Sequence, residues 1–111
     1  MAKFELDNNK NVVIKNDGAI IIVTAYSYEL KAIRCGFGYL PNYEMLKQIE
    51  FLLNNSKSIL NWLNKSGKIK NIDVTFAIEN VCFFYNGKRI VINKNDAKKE
   101  IKYKLFKAEQ D

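Results

Sequence analysis

The sequence contains no histidine. That removes Ser-His and Cys-His relays, most zinc sites and the usual general base. A single proline and the lack of any low-complexity tract leave no sign of a linker. Only two cysteines occur, Cys35 and Cys82, far apart and without metal-type spacing. They read as reduced, buried thiols of a cytoplasmic protein. Arg34 adjoins Cys35, but consecutive strand residues point to opposite faces, so Cys35 reads as inert packing. The longest apolar run, Ala19 to Ala25, is far too short to cross a bilayer. Charge at Lys3, Glu5 and Asp7 does not suit a signal peptide. There is no Gly-Lys-Ser/Thr, and Gly36-Phe37-Gly38 lacks the downstream glycine of a dinucleotide fingerprint. It reads as a hinge that exposes Phe37 or Tyr39. No cofactor, metal, catalytic residue or membrane contact is expected.

What is present suits one folded unit. The chain has 111 residues, 48% of them apolar and 13% aromatic, enough for a single core spanning 1–111. Lys, Asn and Ile are common, a usage compatible with an AT-rich phage or mobile element. The net charge is +6 and unevenly placed. Residues 1–55 carry six cations and six carboxylates, and the rest carry twelve and six. A basic second half suits an acidic partner, either nucleic acid or an acidic protein face.

Strands are expected at Lys3 to Leu6, Val12 to Lys15, Ala19 to Tyr26 and Leu30 to Cys35. Asp17-Gly18 marks a hairpin between the second and third. Gly36, Gly38 and Pro41 end the sheet run, with Asn42 as a candidate cap. From Tyr43 to Lys65 the set Met45, Ile49, Leu52, Leu53, Ile59, Leu60 and Leu63 recurs at helical spacing. This predicts one long central helix closed by Gly67 in the left-handed conformation, with Asn54-Asn55-Ser56 weakening its middle and leaving a kink or two helices as the alternative.

Ile69 to Glu79, Val81 to Tyr85 and Lys88 to Asn93 read as an antiparallel meander. A two-residue Asn86-Gly87 turn pairs Tyr85 with Lys88, Phe83 with Ile90 and Val81 with Ile92 on one face. Phe84–Arg89 and Cys82–Val91 fall on the other. The last segment, Ala97 to Glu109, reads as a short helix capped by Asn95 or Asp96, with Ala97, Ile101 and Leu105 on one stripe. Ile101, Tyr103 and Leu105 also alternate with lysines, as a charge-protected edge strand would. Ala, Glu and Lys content and the Glu100–Lys104 pair favour the helix. The expected architecture is α+β, a mostly antiparallel sheet of about five to six strands on one long helix.

Two resemblances bear on function. Asp17 followed by Glu29-Leu30-Lys31 resembles the metal-dependent PD-(D/E)xK nuclease core, which implies two carboxylates on Mg²⁺ and a lysine at the attacking water. The order helix, three strands, helix, ending in "NKNDAKKEIKYKLF", resembles a double-stranded-RNA-binding domain. That implies Lys94, Lys98 and Lys99 on phosphates. The Gly-Pro-x-His loop and the SKK-x-AK string of that family are not in the sequence.

Phe84, Tyr85, Lys88 and Arg89 cluster at one hairpin end, with Lys94, Lys98, Lys99 and Lys102 following. Aromatics interleaved with cations suit a protein hot spot or stacked bases. The expectation is a small non-enzymatic binding protein with a protein or ribonucleoprotein target. The most concrete form is a phage-type accessory inhibitor of a host nucleic-acid-handling complex, in the style of anti-CRISPR proteins. Direct, weak and nonspecific nucleic-acid binding is the second expectation, and a small nuclease the third.

Overall fold

Two hairpins set the frame of the computed structural model, which describes residues 1–70 and 77–110. In each, both central residues have positive φ: Asp17 at 51° with Gly18 at 82°, and Asn86 at 54° with Gly87 at 74°. This turn matches the right-handed twist of its flanking strands, and Asn or Asp followed by Gly is the pair that tolerates it. Asp17-Gly18 joins β2 (Val12–Asn16) to β3 (Ala19–Ser27), and Asn86-Gly87 joins β5 (Asn80–Tyr85) to β6 (Lys88–Asn93). The registers follow: Asn16↔Ala19 closes the first hairpin, and Tyr85↔Lys88, Phe83↔Ile90 and Val81↔Ile92 build the second as the turn length dictates.

With β1 (Lys3–Leu6) and β4 (Ala32–Phe37) these strands make one six-stranded sheet in sequence order. Every pairing is antiparallel except β4 with β5. The parallel step needs a crossover, and α1 (Asn42–Asn54) and α2 (Ser56–Ser66) supply it. A register shift between Val23 and Ala25 inserts one extra residue into β3. After Ile21 and Val23, it is therefore Tyr26 that returns to the covered face, where its hydroxyl donates to the Ala77 carbonyl at 2.7 Å.

Three helices cover one face. α2 lies over β2, α1 over β5, and α3 (Lys98–Glu109) over β5 and β6. Their buried stripes are Met45, Gln48, Ile49 and Leu52; Ile59, Leu60, Leu63 and Ser66; and Ile101, Leu105 and Ala108. They close on Val12, Ile14, Ile21, Val23, Ile33, Val81, Phe83, Ile90 and Ile92 from the sheet. The result is a single α+β core.

The expected single long helix is two helices. Asn55 sits at φ −120°, ψ 32°, outside helical geometry. Its side-chain amide donates to the Phe51 carbonyl at 2.8 Å, and the Ser56 hydroxyl donates to Leu53 at 3.0 Å. Two polar side chains thus take carbonyls that the main-chain ladder would have used, and the chain bends there. The expected strand over 69–79 lies largely outside the described residues, and those described at its two ends are not strand. The β5–β6 hairpin of the expected meander is present, and the strand beside β5 on its other side is β4.

Helix capping also differs. Pro41, not Asn42, precedes α1, and Ala97, not Asn95 or Asp96, precedes α3. Ala97 is exposed, and Ala108 takes its place on the buried stripe. Gly67 ends α2 in the left-handed conformation as expected.

Candidate functional site

Among the described residues, no helix packs on the sheet face opposite the core, and that face is bare. Alternation along β2 and β3 sends Ile14, Ile21 and Val23 inward and Val13, Ile20 and Ile22 outward. β5 and β6 add Cys82, Phe84, Arg89 and Val91 to the same outer face. An antiparallel sheet with one solvated face normally carries polar side chains there. Here Ile20 is 48% exposed, Ile22 37%, Phe84 72% and Val91 40%. The apolar character of both faces of β3 and β5 is therefore not explained by the core.

Cations border this row. Lys3, Lys15, Arg34 and Arg89 are exposed, and Glu5 pairs with Lys15 at 3.1 Å. A hollow of about 230 Å³ lies between Thr24, Arg34, Cys82, Phe84 and Arg89. The Arg89 Nε donates to the Cys82 sulfur at 3.4 Å, which holds the guanidinium down on the face. At one end of the molecule Tyr39, 97% exposed, and Phe84 border a second hollow with Met45 and Tyr85. Tyr39 is thus the aromatic that the glycine-flanked segment exposes, while Phe37 packs edge-on against Phe83 at 5.0 Å.

The hairpin cluster divides between two sides. Phe84 and Arg89 face the bare side. Tyr85 follows Val81 and Phe83 onto the covered side, where its hydroxyl bonds Asn42 at 2.6 Å and Glu109 at 2.9 Å. Burial, then the Glu109 carboxylate, pushes the Tyr85 phenol up to about 12. The Lys88 ammonium donates to the Gln110 carbonyl. Lys94 pairs with Glu79 at 3.6 Å and Lys98 with Glu50 at 3.8 Å. Lys99 and Lys102 stand exposed on α3.

A groove of about 750 Å³ separates β6 from α3. Lys88, Arg89 and Val91 line one wall; Tyr103, Lys104 and Lys107 line the other. Tyr103, Lys104 and Lys107 escaped the sequence reading because helical spacing brings them to β6 only after α3 docks. The exposed Ile20 and Ile22 had a visible signal, since their strand is apolar on both faces.

Asp17 and the Glu29–Lys31 pair lie at opposite ends of the nine-residue β3, roughly 30 Å apart at strand rise. Asp17 pairs instead with Lys47 at 3.0 Å, and Lys31 sits in a turn at φ 48°. These residues cannot share one metal ion. Among the described residues no group of three or more Cys, Asp or Glu side chains is placed to hold one. Cys35 and Cys82 are both buried and free, and burial, with Cys82 adding to it, pushes the Cys35 thiol up, away from thiolate reactivity. No helix among the described residues is long and apolar enough to cross a membrane. No family model matches the chain, and neither curated proteins nor solved structures give a significant match.

Proposed function

We propose that the protein is a small, non-enzymatic binding protein that presses its bare sheet face onto a protein or ribonucleoprotein target. The observation behind this reading is the exposed apolar row Ile20, Ile22, Phe84 and Val91 on a sheet whose other face already holds the core. Apolar side chains ringed by cations match the anatomy of a protein interface, with a desolvated centre and a polar rim. Phe84 and Tyr39 are its natural anchors. Arg34, Arg89 and the second half's excess of cations speed encounter with an acidic surface. Size, charge and sparse chemistry fit an accessory inhibitor of a host nucleic-acid-handling complex, of the anti-CRISPR type.

Direct nucleic-acid binding is the second reading, favoured by exposed Lys99 and Lys102 on α3. Phe84 is the only aromatic ring on the bare face among the described strands, which limits base stacking there. The inhibitor reading is tested in a bacterial host whose CRISPR system targets a phage. Expression of the chain should raise plaquing efficiency, and Ile22→Asp with Phe84→Asp should return it to the empty-vector level. Wild-type chain indistinguishable from empty vector in hosts carrying each major CRISPR type would contradict the inhibitor reading.

A further inference from the structure

We propose that the groove between β6 and α3 receives an acidic segment of a partner protein in extended conformation, added to β6 as a further strand. This goes beyond the bare-face reading and uses a different surface. β6 ends the sheet. In its hairpin the pairs Tyr85↔Lys88, Phe83↔Ile90 and Val81↔Ile92 share the ladder hydrogen bonds, so Arg89, Val91 and Asn93 turn their main-chain groups outward. Two contacts agree with that assignment. The Val91 carbonyl accepts from the Lys104 ammonium at 2.9 Å, and the Asn93 N–H donates to the Asp96 carboxylate at 2.9 Å. The Arg89 N–H and carbonyl and the Val91 N–H are left facing the groove.

The charge of the groove selects its occupant. Among the described residues, Lys88, Lys104 and Lys107 bring their charge to it, Arg89 lines it while its guanidinium lies on the bare face, and no carboxylate lines it. Among the described residues, Lys104 is the one of these lysines that pairs with a carboxylate, that of Asp96 outside the lining, at 2.9 Å. A second copy of β6 would bring the same cations face to face, so self-pairing is opposed and an acidic strand is favoured. Ile90, Val91 and Ala108 give the floor apolar contact. Main-chain groups pointing outward at every second residue complement a peptide backbone, and the walls offer a single ring, Tyr103, for stacking. An acidic peptide therefore fits better than a nucleic acid.

The probe is an acetylated, amidated peptide of about eight alternating Glu and Val residues, a common strand length. It is titrated against the full chain by calorimetry and amide NMR. Saturable binding is expected, with the Arg89 and Val91 amides shifting most and gaining protection from exchange. The same peptide N-methylated throughout should bind at least about tenfold more weakly. Lys107→Glu, at an exposed side chain and with thermal melting confirming an intact fold, should weaken binding by a similar factor. Val91→Pro, which removes an outward N–H and no hydrogen bond to β5, should do the same, with thermal melting confirming an intact fold. Four outcomes would overturn the proposal: no saturable binding, undiminished binding of the methylated peptide, shifts confined to Ile20 and Ile22, or tighter binding of a single-stranded oligonucleotide at the same amides.

Discussion

Asn16 and Gln48 are buried polar side chains that satisfy each other across the core. The Asn16 amide donates to the Gln48 side-chain oxygen at 2.9 Å, and the Gln48 amide reaches back to the Asn16 carbonyl at 3.4 Å. The pair pins the β2–β3 turn to α1. Gln48→Ala leaves the buried Asn16 amide without its partner, and should cost about 1–3 kcal/mol in urea unfolding. Replacing both with apolar residues of matching size should recover part of that loss, since an absent pair costs less than half a pair.

Asp96 is the second residue-scale test. Burial pushes its carboxyl up, but the Asn93 N–H and the Lys104 ammonium outweigh that and hold it below the usual carboxylate range. A folded-state value below the unfolded one gives stability above the unfolded value and loses it as pH falls through the folded value. Asp96→Asn should therefore lower the melting temperature at neutral pH. The gap to wild type should close as the pH drops below about 4, the ordinary Asp value. A gap that persists unchanged in acid would assign the loss to packing instead.

At the scale of elements, the helical layer depends on stripes that meet the sheet from both sides of the Asn55 bend. Ile49 and Leu52 are fully buried before it and Ile59 and Leu63 after it. Ile49→Ala or Leu52→Ala should each cost about 2–5 kcal/mol, read from denaturant midpoints. Wild-type-like midpoints for both would refute the buried face assigned to α1.

The same elements show what was legible in advance. Both hairpin registers follow from Asp-Gly and Asn-Gly, because a two-residue turn leaves one pairing scheme. The buried spacing of α1, α2 and α3 was equally local. The parallel β4–β5 pair was not legible, since it joins segments separated by two helices and no local residue names the neighbour. The Asn55 break was visible as a weak point, but only the contest for the Phe51 and Leu53 carbonyls makes it a division. Tyr85 shares a face with Val81 and Phe83 by alternation alone, so its commitment to Asn42 and Glu109 agrees with the register rather than with the aromatic cluster. The groove could not be read at all, because its two walls come from β6 and α3 and meet only in the tertiary structure.

On the scale of the whole molecule, the chain has one covered sheet face and one bare one. The bare face presents an apolar row, and charge surrounds it. If nucleic acid were the true ligand, affinity would fall steeply with salt, by a log–log slope near −0.9 for each duplex phosphate neutralised. A protein interface centred on Phe84 and Ile22 depends instead on apolar truncation, with charge acting mainly on association. Free DNA and RNA should accordingly bind weakly, without sequence preference, and be lost at moderate salt.

The bare face is tested most directly by capture from a nuclease-treated host lysate. Immobilised wild type is compared with the Ile22→Asp, Phe84→Asp double variant, at physiological and at high salt. Both substitutions sit at exposed positions, and equal melting temperatures establish that the fold is intact. The prediction is a defined protein or ribonucleoprotein that wild type retains at high salt and the variant does not. Retention of the same proteins by both, or no protein retained by wild type at high salt, would contradict the account.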